Sequence, residues 1–394
     1  MAWRSIRPPT ADELLQLPPY QYDPLRENEF RVVHLHPGTG SDELVVSISV
    51  QGVSSHGFNA VSYVWGNNER IHRIGAATSI VTRTTRDDGR EWISVNTDVP
   101  PSAYFMVTDN LRKVLQSIRS EETFVPLWID SLCINQDDIA EKTSQVNIMH
   151  VFYGLATFTI ICLTGFELMP AAFKIIKALA AMEAWETEKL PSRLSDVMRF
   201  SNSSVFPDSE PVKHDPWHVL MDFFELPWFH RVWIIQEVVI SEQPIIFTEH
   251  GTMAWETLLA ACRVVWRSEM HDDDAGRVHI RIPLNLEEQR QTTRALINAL
   301  ELGPVSEDSD LVKDAGSANH LIYLQMRSRG CHATDPRDHV FALLGIARGH
   351  GGHVPKVDYS LSLAEVSRSV MPRKGSSAKS HFGHTVELHE TARG

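Results

Sequence analysis

The strongest constraint on the fold is an alternation of short apolar segments with amphipathic segments between residues 58 and 165. The apolar segments predict strands, at residues 60–65, 126–130 and 157–163. The amphipathic segments predict helices, at residues 109–119 and 137–153. Strands with near-continuous apolar character are typical of a parallel sheet covered on both faces. Right-handed crossovers then give an α/β fold with a doubly wound parallel sheet, similar to flavodoxin.

Ligands of such sheets bind beyond the carboxyl ends of the strands. Asp130 ends the second strand, where it either caps the following backbone N–H groups or polarises a ligand. Asn135 and Gln136 follow in the next loop, where they either start the helix or join the site. Tyr63 and Trp65 alternate at the end of the first strand, and either pack in the core or line the site.

A cluster of polar and aromatic residues lies in an aromatic segment predicted to be helical, residues 227–240. On a helix, Trp233 and Glu237 are one turn apart on the same face. One interpretation is structural, with Arg231 in a surface ion pair and Trp233 packed as an apolar side chain. The other is functional: Glu237 is a catalytic carboxylate desolvated by an aromatic wall, and Arg231 and Trp233 contact the ligand.

Composition excludes several classes of function. The net charge is −13, from 37 basic and 50 acidic residues, which argues against binding of nucleic acid. The four cysteines form no CxxC pair, so we expect neither metal sites nor disulfides. The longest uncharged apolar stretch, Val151–Leu163, is shorter than the ~20 residues of a membrane span. Since a signal peptide is also lacking, we expect a cytoplasmic protein.

Other parts of the chain are less informative. Residues 1–54 are predicted to be a polar segment with a small β element, ahead of a core domain at residues 55–245. Residues 67–106 are interpreted as a long polar connection. Residues 246–370 are predicted to be mainly helical, and residues 371–394 to be a disordered tail. Within the second core helix, Glu141 and Gln145 are interpreted as a solvated face.

Three segments together resemble the heterokaryon incompatibility (HET) domain of filamentous fungi. They are FNAVSYVWG (58–66), LWIDSLCINQDDIAEKTSQVNIMHVFYGLA (127–156) and PWFHRVWIIQEV (227–238), in the order and approximate spacing of that domain. Weaker similarity extends to DPRDHVFALLGIA (335–347) and VDYSLSLAEV (357–366). The resemblance implies an effector of non-self recognition and regulated cell death, acting through protein partners or self-association.

Two alternative functions stay open. The NAVSY strand, the strand ending in Asp130 and the Trp233–Glu237 helix are similar to Toll/interleukin-1-receptor (TIR) domains, some of which hydrolyse NAD. That similarity implies an NAD glycohydrolase that uses Glu237, with NAD as substrate and no other cofactor. The second alternative is a non-catalytic scaffold that self-associates. An enzyme needs Glu237 in a pocket with Asp130 or Tyr63, whereas a scaffold would bury Glu237 in an ion pair or leave it on a flat surface.

Overall fold

A nine-stranded mixed sheet organises the protein. The computed structural model describes residues 8–40, 42–67, 69–85, 91–96, 99–185, 190–191, 193–197, 214–268, 274–301, 321, 324–325, 328, 330–348 and 355–370. The predicted disordered tail, residues 371–394, lies outside the described residues, as does part of the predicted helical region, residues 302–320.

The strands follow one another along the first two thirds of the chain. In chain order they are β1 (Glu29–Leu35), β2 (Val45–Gly52), β3 (Asn59–Ser62), β4 (Arg70–Thr78), β5 (Ile80–Thr85), β6 (Glu91–Asn96), β7 (Ala103–Thr108), β8 (Val125–Trp128), β9 (Thr159–Cys162), β10 (Pro244–Thr248) and β11 (Gly251–Ala254). The sheet order is β11-β10-β9-β3-β8-β1-β2-β4-β7, and β5 pairs with β6 in a separate two-stranded sheet.

The three predicted strands are parallel neighbours in one sheet. Strand β3 lies between β8 and β9 and is parallel to both, with Ala60 opposite Trp128 on one side and Thr159 on the other. Strand β10 adds a fourth parallel strand beside β9. The pattern between residues 58 and 165 therefore predicts the pairing correctly, whereas the doubly wound arrangement with helices on both faces stays a prediction.

The sheet as a whole is mixed, which corrects the expectation of a purely parallel one. Strand β1 pairs antiparallel with both β2 and β8, so the N-terminal β element is continuous with the main sheet. A short connection of nine residues joins β1 to β2, and antiparallel strands need no long crossover. The interpretation of residues 67–106 as a polar connection is wrong, because β4 and β7 extend the sheet from this segment.

Among the described residues, helices lie before β1, in the intervals between β7 and β10, and after β11. They are α1 (Ala11–Leu15), α2 (Asp109–Ile118), α3 (Asp130–Cys133), α4 (Ile139–Leu155), α5 (Met169–Ala180), α6 (Pro216–Phe224), α7 (Ile234–Val239), α8 (Trp255–Ser268), α9 (Asp274–Glu301), α10 (Asp338–Arg348) and α11 (Leu363–Val370). The side chain of Thr108 caps α2 by accepting a hydrogen bond from the backbone N–H of Leu111, and Asp138 caps α4 in the same way.

The predicted solvated face of α4 is instead buried against the N-terminal segment. The guanidinium of Arg31, 1% exposed, donates to Glu141 over 2.6 and 2.9 Å and to the backbone carbonyls of Cys133 and Asp23. The side chain of Gln145 is also buried and donates to the carbonyl of Glu29. These partners lie more than 100 residues away in sequence, so the helical pattern alone gives no sign of them.

The aromatic segment at residues 227–240 is not one helix, which corrects that prediction. A 3-10 turn covers Pro227–His230, and α7 begins only at Ile234. Between them Arg231 is extended and forms a parallel β-bridge with His332. The backbone N–H of Val232 donates to the carbonyl of His332 over 3.0 Å. This pairing with the C-terminal segment takes the place of helical hydrogen bonds at the break.

Candidate functional site

A cleft of about 1200 Å³ opens beside the carboxyl ends of β3 and β8. Six of the eight site residues predicted from the sequence line it: Trp65, Asp130, Gln136, Arg231, Trp233 and Glu237. The opposite wall comes from two C-terminal segments, residues 332–338 and 359–363. This position agrees with the rule that α/β sheets bind ligands outside the carboxyl ends of their strands.

Asp130 is the first residue of α3 and lines the cleft, while its role toward a ligand stays a prediction. One carboxylate oxygen accepts the backbone N–H of Ser131 over 2.7 Å. The indole N–H of Trp65 lies 3.2 and 3.1 Å from the two oxygens. The pKa of Asp130 is raised to about 6, because burial and the nearby charge of Glu237 raise it more than the positive charge of Arg231 and the hydrogen bonds lower it. A carboxyl group with such a pKa can exchange a proton near neutral pH.

Glu237 lies on the inner side of the cleft and has only 4% of its side chain exposed. It accepts a hydrogen bond from the hydroxyl of Ser62 at the end of β3. Arg231 donates to both carboxylate oxygens over 3.3 and 3.4 Å, which are long contacts for an ion pair. Trp228 completes the cluster by donating to the hydroxyl of Ser62 over 2.7 Å. Glu237 thus lines the cleft with Asp130 and also belongs to a buried ion pair.

Trp233 joins the two walls of the cleft. Its indole N–H donates to Asp338 over 3.1 Å, and the hydroxyl of Tyr359 donates to the other oxygen of the same carboxylate over 2.8 Å. Burial raises the pKa of Asp338, while these two hydrogen bonds lower it. The ring of Tyr359 also packs edge-on against Phe341 at 5.0 Å and lies under the ammonium of Lys142 at 4.7 Å.

The ion pair of Arg337 with Asp335 holds the C-terminal wall together. Arg337 donates to both oxygens of Asp335, with a shortest distance of 2.6 Å. The same guanidinium donates to the backbone carbonyls of Tyr359 and Leu361 over 2.6 and 2.9 Å. One arginine therefore ties the segment before α10 to the segment before α11.

Two predicted site residues lie outside the cleft lining. Tyr63 is 2% exposed, and its hydroxyl lies 2.7 Å from that of Ser131, so it connects the ends of two strands inside the core. Asn135 uses its side chain to accept the backbone N–H of Asp137 in the turn before α4. Gln136, in contrast, lines the cleft and donates to the backbone carbonyl of Asp130.

Sequence reasoning missed most of the C-terminal wall. The missed residues are His332, Asp335, Arg337, Asp338 and Tyr359. The only signal for the last four is the similarity of DPRDHVFALLGIA and VDYSLSLAEV to segments that follow the HET domain in other proteins, and His332 lies outside both segments. Local patterns cannot place these residues, because Asp338 meets Trp233 across 105 positions of chain.

Comparison with known proteins decides the family of the central segment. The profile of the family described as "Heterokaryon incompatibility protein (HET)" matches residues 58–237. The chain contains a HET domain. It is also 26% identical over 237 residues to "Heterokaryon incompatibility protein 6, OR allele" from Neurospora crassa, a match that covers 55% of this chain and 32% of that protein. The chain thus spans about a third of this relative's length, and no solved structure matches.

The described residues carry no cluster of three or more His, Cys, Asp or Glu side chains arranged to hold a metal ion. In the same part of the chain, no helix is long and apolar enough to cross a membrane. The four cysteines are free, and burial raises the pKa of each thiol, that of Cys133 to about 12. Thiols in such surroundings are poor nucleophiles.

Proposed function

We propose that this chain is an effector of non-self recognition in filamentous fungi, and that it triggers regulated cell death through its HET domain. The HET match over residues 58–237 and the name of the Neurospora crassa relative support an incompatibility-type protein. The observation that carries the role of a specific site is the convergence of Trp65, Asp130, Trp233 and Glu237 on one cleft. In this proposal a ligand held in the cleft switches the protein to its lethal state.

Induced expression in a filamentous fungus tests the role of the cleft. We expect the intact chain to reduce viability and Asp130→Asn to restore it, because the variant loses the charge and proton exchange of that carboxyl group. Asp109→Asn is the matched control, since Asp109 is an exposed aspartate in the first turn of α2. Equal killing by wild type and Asp130→Asn at equal protein levels would exclude a role of Asp130 in death.

The second candidate function is hydrolysis of NAD. The observation that favours it is that Asp130 and Glu237 line one cleft together with the indoles of Trp65 and Trp233. This is the arrangement that the enzyme hypothesis requires. The buried ion pair of Glu237 with Arg231 is the feature that the scaffold hypothesis expects, so activity must be measured directly.

The proposed reaction breaks the bond between nicotinamide and ribose. The electron pair of that bond leaves with nicotinamide, and positive charge develops on the ribose, as in other glycosyl transfers. Glu237 stabilises this charge, and water then adds to the ribose, which yields ADP-ribose, nicotinamide and one proton. Asp130, with its pKa near 6, accepts that proton from the attacking water. Trp233 supplies an apolar wall beside the ring.

Release of nicotinamide by the purified chain tests the enzyme hypothesis. We expect Glu237→Gln to abolish release and Asp130→Asn to reduce it, with Asp109→Asn unchanged. Viability and NAD content are followed together in the fungal host with the same variants. Death without any loss of NAD, and no release by concentrated wild-type protein, would leave the non-catalytic scaffold as the explanation.

A further inference from the structure

We infer that the functional cleft is composite, and that Asp338 is a positioning residue that fixes Trp233 within it. This inference rests on the proposed function of the cleft and extends it beyond the HET-matched residues 58–237. The matched segment supplies Trp65, Asp130 and Trp233, while the facing wall comes from residues 332–338 and 359–363.

The geometry at Asp338 is that of a fixed acceptor. One carboxylate oxygen accepts the indole N–H of Trp233 over 3.1 Å, and the other accepts the hydroxyl of Tyr359 over 2.8 Å. Both donors are large ring systems that line the cleft, so a single carboxylate sets the positions of two aromatic walls. Hydrogen bonds to a charged acceptor are stronger than bonds between neutral groups, and a change at Asp338 therefore releases both rings.

The backbone around Asp338 holds the carboxylate in place. Asp338 begins α10, and Arg337 before it donates to Asp335 and to the carbonyls of Tyr359 and Leu361. At the start of the same segment, His332 forms the β-bridge with Arg231, which lies only two residues from Trp233. The C-terminal wall thus contacts the HET domain through His332 at its start and through Asp338 at its end.

A spectroscopic test reports on the position of Trp233 without requiring a ligand. The intact chain is labelled with ¹⁵N-tryptophan, and Trp233→Phe identifies the indole N–H resonance of Trp233. We expect Asp338→Asn to shift that resonance and Tyr359→Phe to shift it less, because the second variant keeps the carboxylate. Asp358→Asn is the control, since the carboxylate of Asp358 accepts hydrogen bonds from nearby Ser360 in a turn, and it should leave the resonance unchanged.

The same variants are expressed in the fungal host. We expect Asp338→Asn to lose lethality and Asp358→Asn to keep it, with thermal unfolding showing that both variants are folded. If Asp338→Asn does not fold, the shift and viability are compared in Tyr359→Phe. A folded variant with an unshifted resonance overturns the positioning role, and a shifted resonance with full lethality overturns its importance for the cleft. If the wild-type chain is not lethal, the proposed function fails, while the resonance shift still decides the positioning role.

Discussion

The segments on either side of the HET domain are attached to it in different ways. The N-terminal segment inserts β1 into the middle of the sheet, between β2 and β8, and Arg31 adds a closely bonded ion pair to Glu141 of α4. The C-terminal segment (residues 330–348 and 355–370) contacts the domain through one β-bridge, through the side chains around Asp338 and through the buried apolar side chains of α10, and it lines the cleft. The comparison indicates that the first segment completes the sheet, whereas the second packs on the core and also completes the site.

The largest expected effect tests the structural role of the N-terminal segment. Arg31→Met leaves Glu141 buried without its ion-pair partner. Removing one member of a buried pair lowers the unfolding free energy by about 3–5 kcal/mol. Urea unfolding measures it, with Arg26→Met at an exposed position as the control. The double variant Arg31→Met/Glu141→Met should lose less than the sum of the single variants. A loss below about 1 kcal/mol for Arg31→Met would contradict an anchoring role.

The next effect is a pH dependence in the same segment. His34 on β1 is buried with its ring nitrogen 2.8 Å from the hydroxyl of Ser49, and burial lowers its pKa to about 4. The unfolded chain binds a proton at His34 near pH 6.5, so stability falls as the pH falls from about 6.5 to 4, by up to about 3 kcal/mol. Unfolding free energies across this window should fall less steeply for His34→Gln.

The exposed His56 supplies the control for this pH dependence. His56→Gln should leave the slope of the wild-type chain unchanged, because the side chain of His56 is exposed in the folded chain. Parallel pH profiles for the wild type and His34→Gln would show that the neutral imidazole of His34 contributes nothing to acid sensitivity.

A smaller effect tests how closely the C-terminal segment packs on the HET domain. A Cβ atom at Gly345 of α10 would lie 2.4 Å from Oε1 of Gln236 and 2.8 Å from Cβ of His150. We expect Gly345→Ala to cost about 1–3 kcal/mol, as overpacking of a close contact usually does. Thermal or urea unfolding of Gly330→Ala is the control, since nothing lies within 4 Å of a Cβ there. Equal stability of the two variants would indicate a loose interface.

The sequence predicts the parallel strands and the HET-domain wall of the cleft because both depend on local patterns. Near-continuous apolar runs give β3, β8 and β9, and the short motifs give Asp130, Trp233 and Glu237. Strand β4 is missed because Arg70, His72 and Arg73 interrupt its apolar pattern, whereas the apolar run of β7, residues 103–107, could have been predicted from the sequence. The C-terminal wall is missed because its contacts join residues more than 100 positions apart, a distance at which periodicity carries no information.

The smallest expected effect is a change in unfolding free energy. Its sign distinguishes a residue of the cleft from a residue that stabilises the fold. Burial raises the pKa of Asp130 from 3.8 to about 6, so the unfolded chain releases its proton at lower pH than the folded chain does. The carboxylate therefore destabilises the fold as the pH rises from about 4 to 6, and this cost persists above pH 6. It is at most about 3 kcal/mol, and water at the half-buried carboxylate reduces it to about 1 kcal/mol.

Asp130→Asn should therefore be more stable than wild type at pH 7.5, because the amide oxygen still accepts the N–H groups of Ser131 and Trp65. The advantage should disappear below pH 4, where Asp130 is protonated in both states. Asp109→Asn should show the opposite sign, because hydrogen bonds from Lys113 and His72 lower the pKa of that exposed carboxyl. Arg31 stabilises the fold. Asp130 lowers its stability, and a residue that does so in a cleft is retained for function. Loss of stability in Asp130→Asn at pH 7.5 would instead place Asp130 with the anchoring residues.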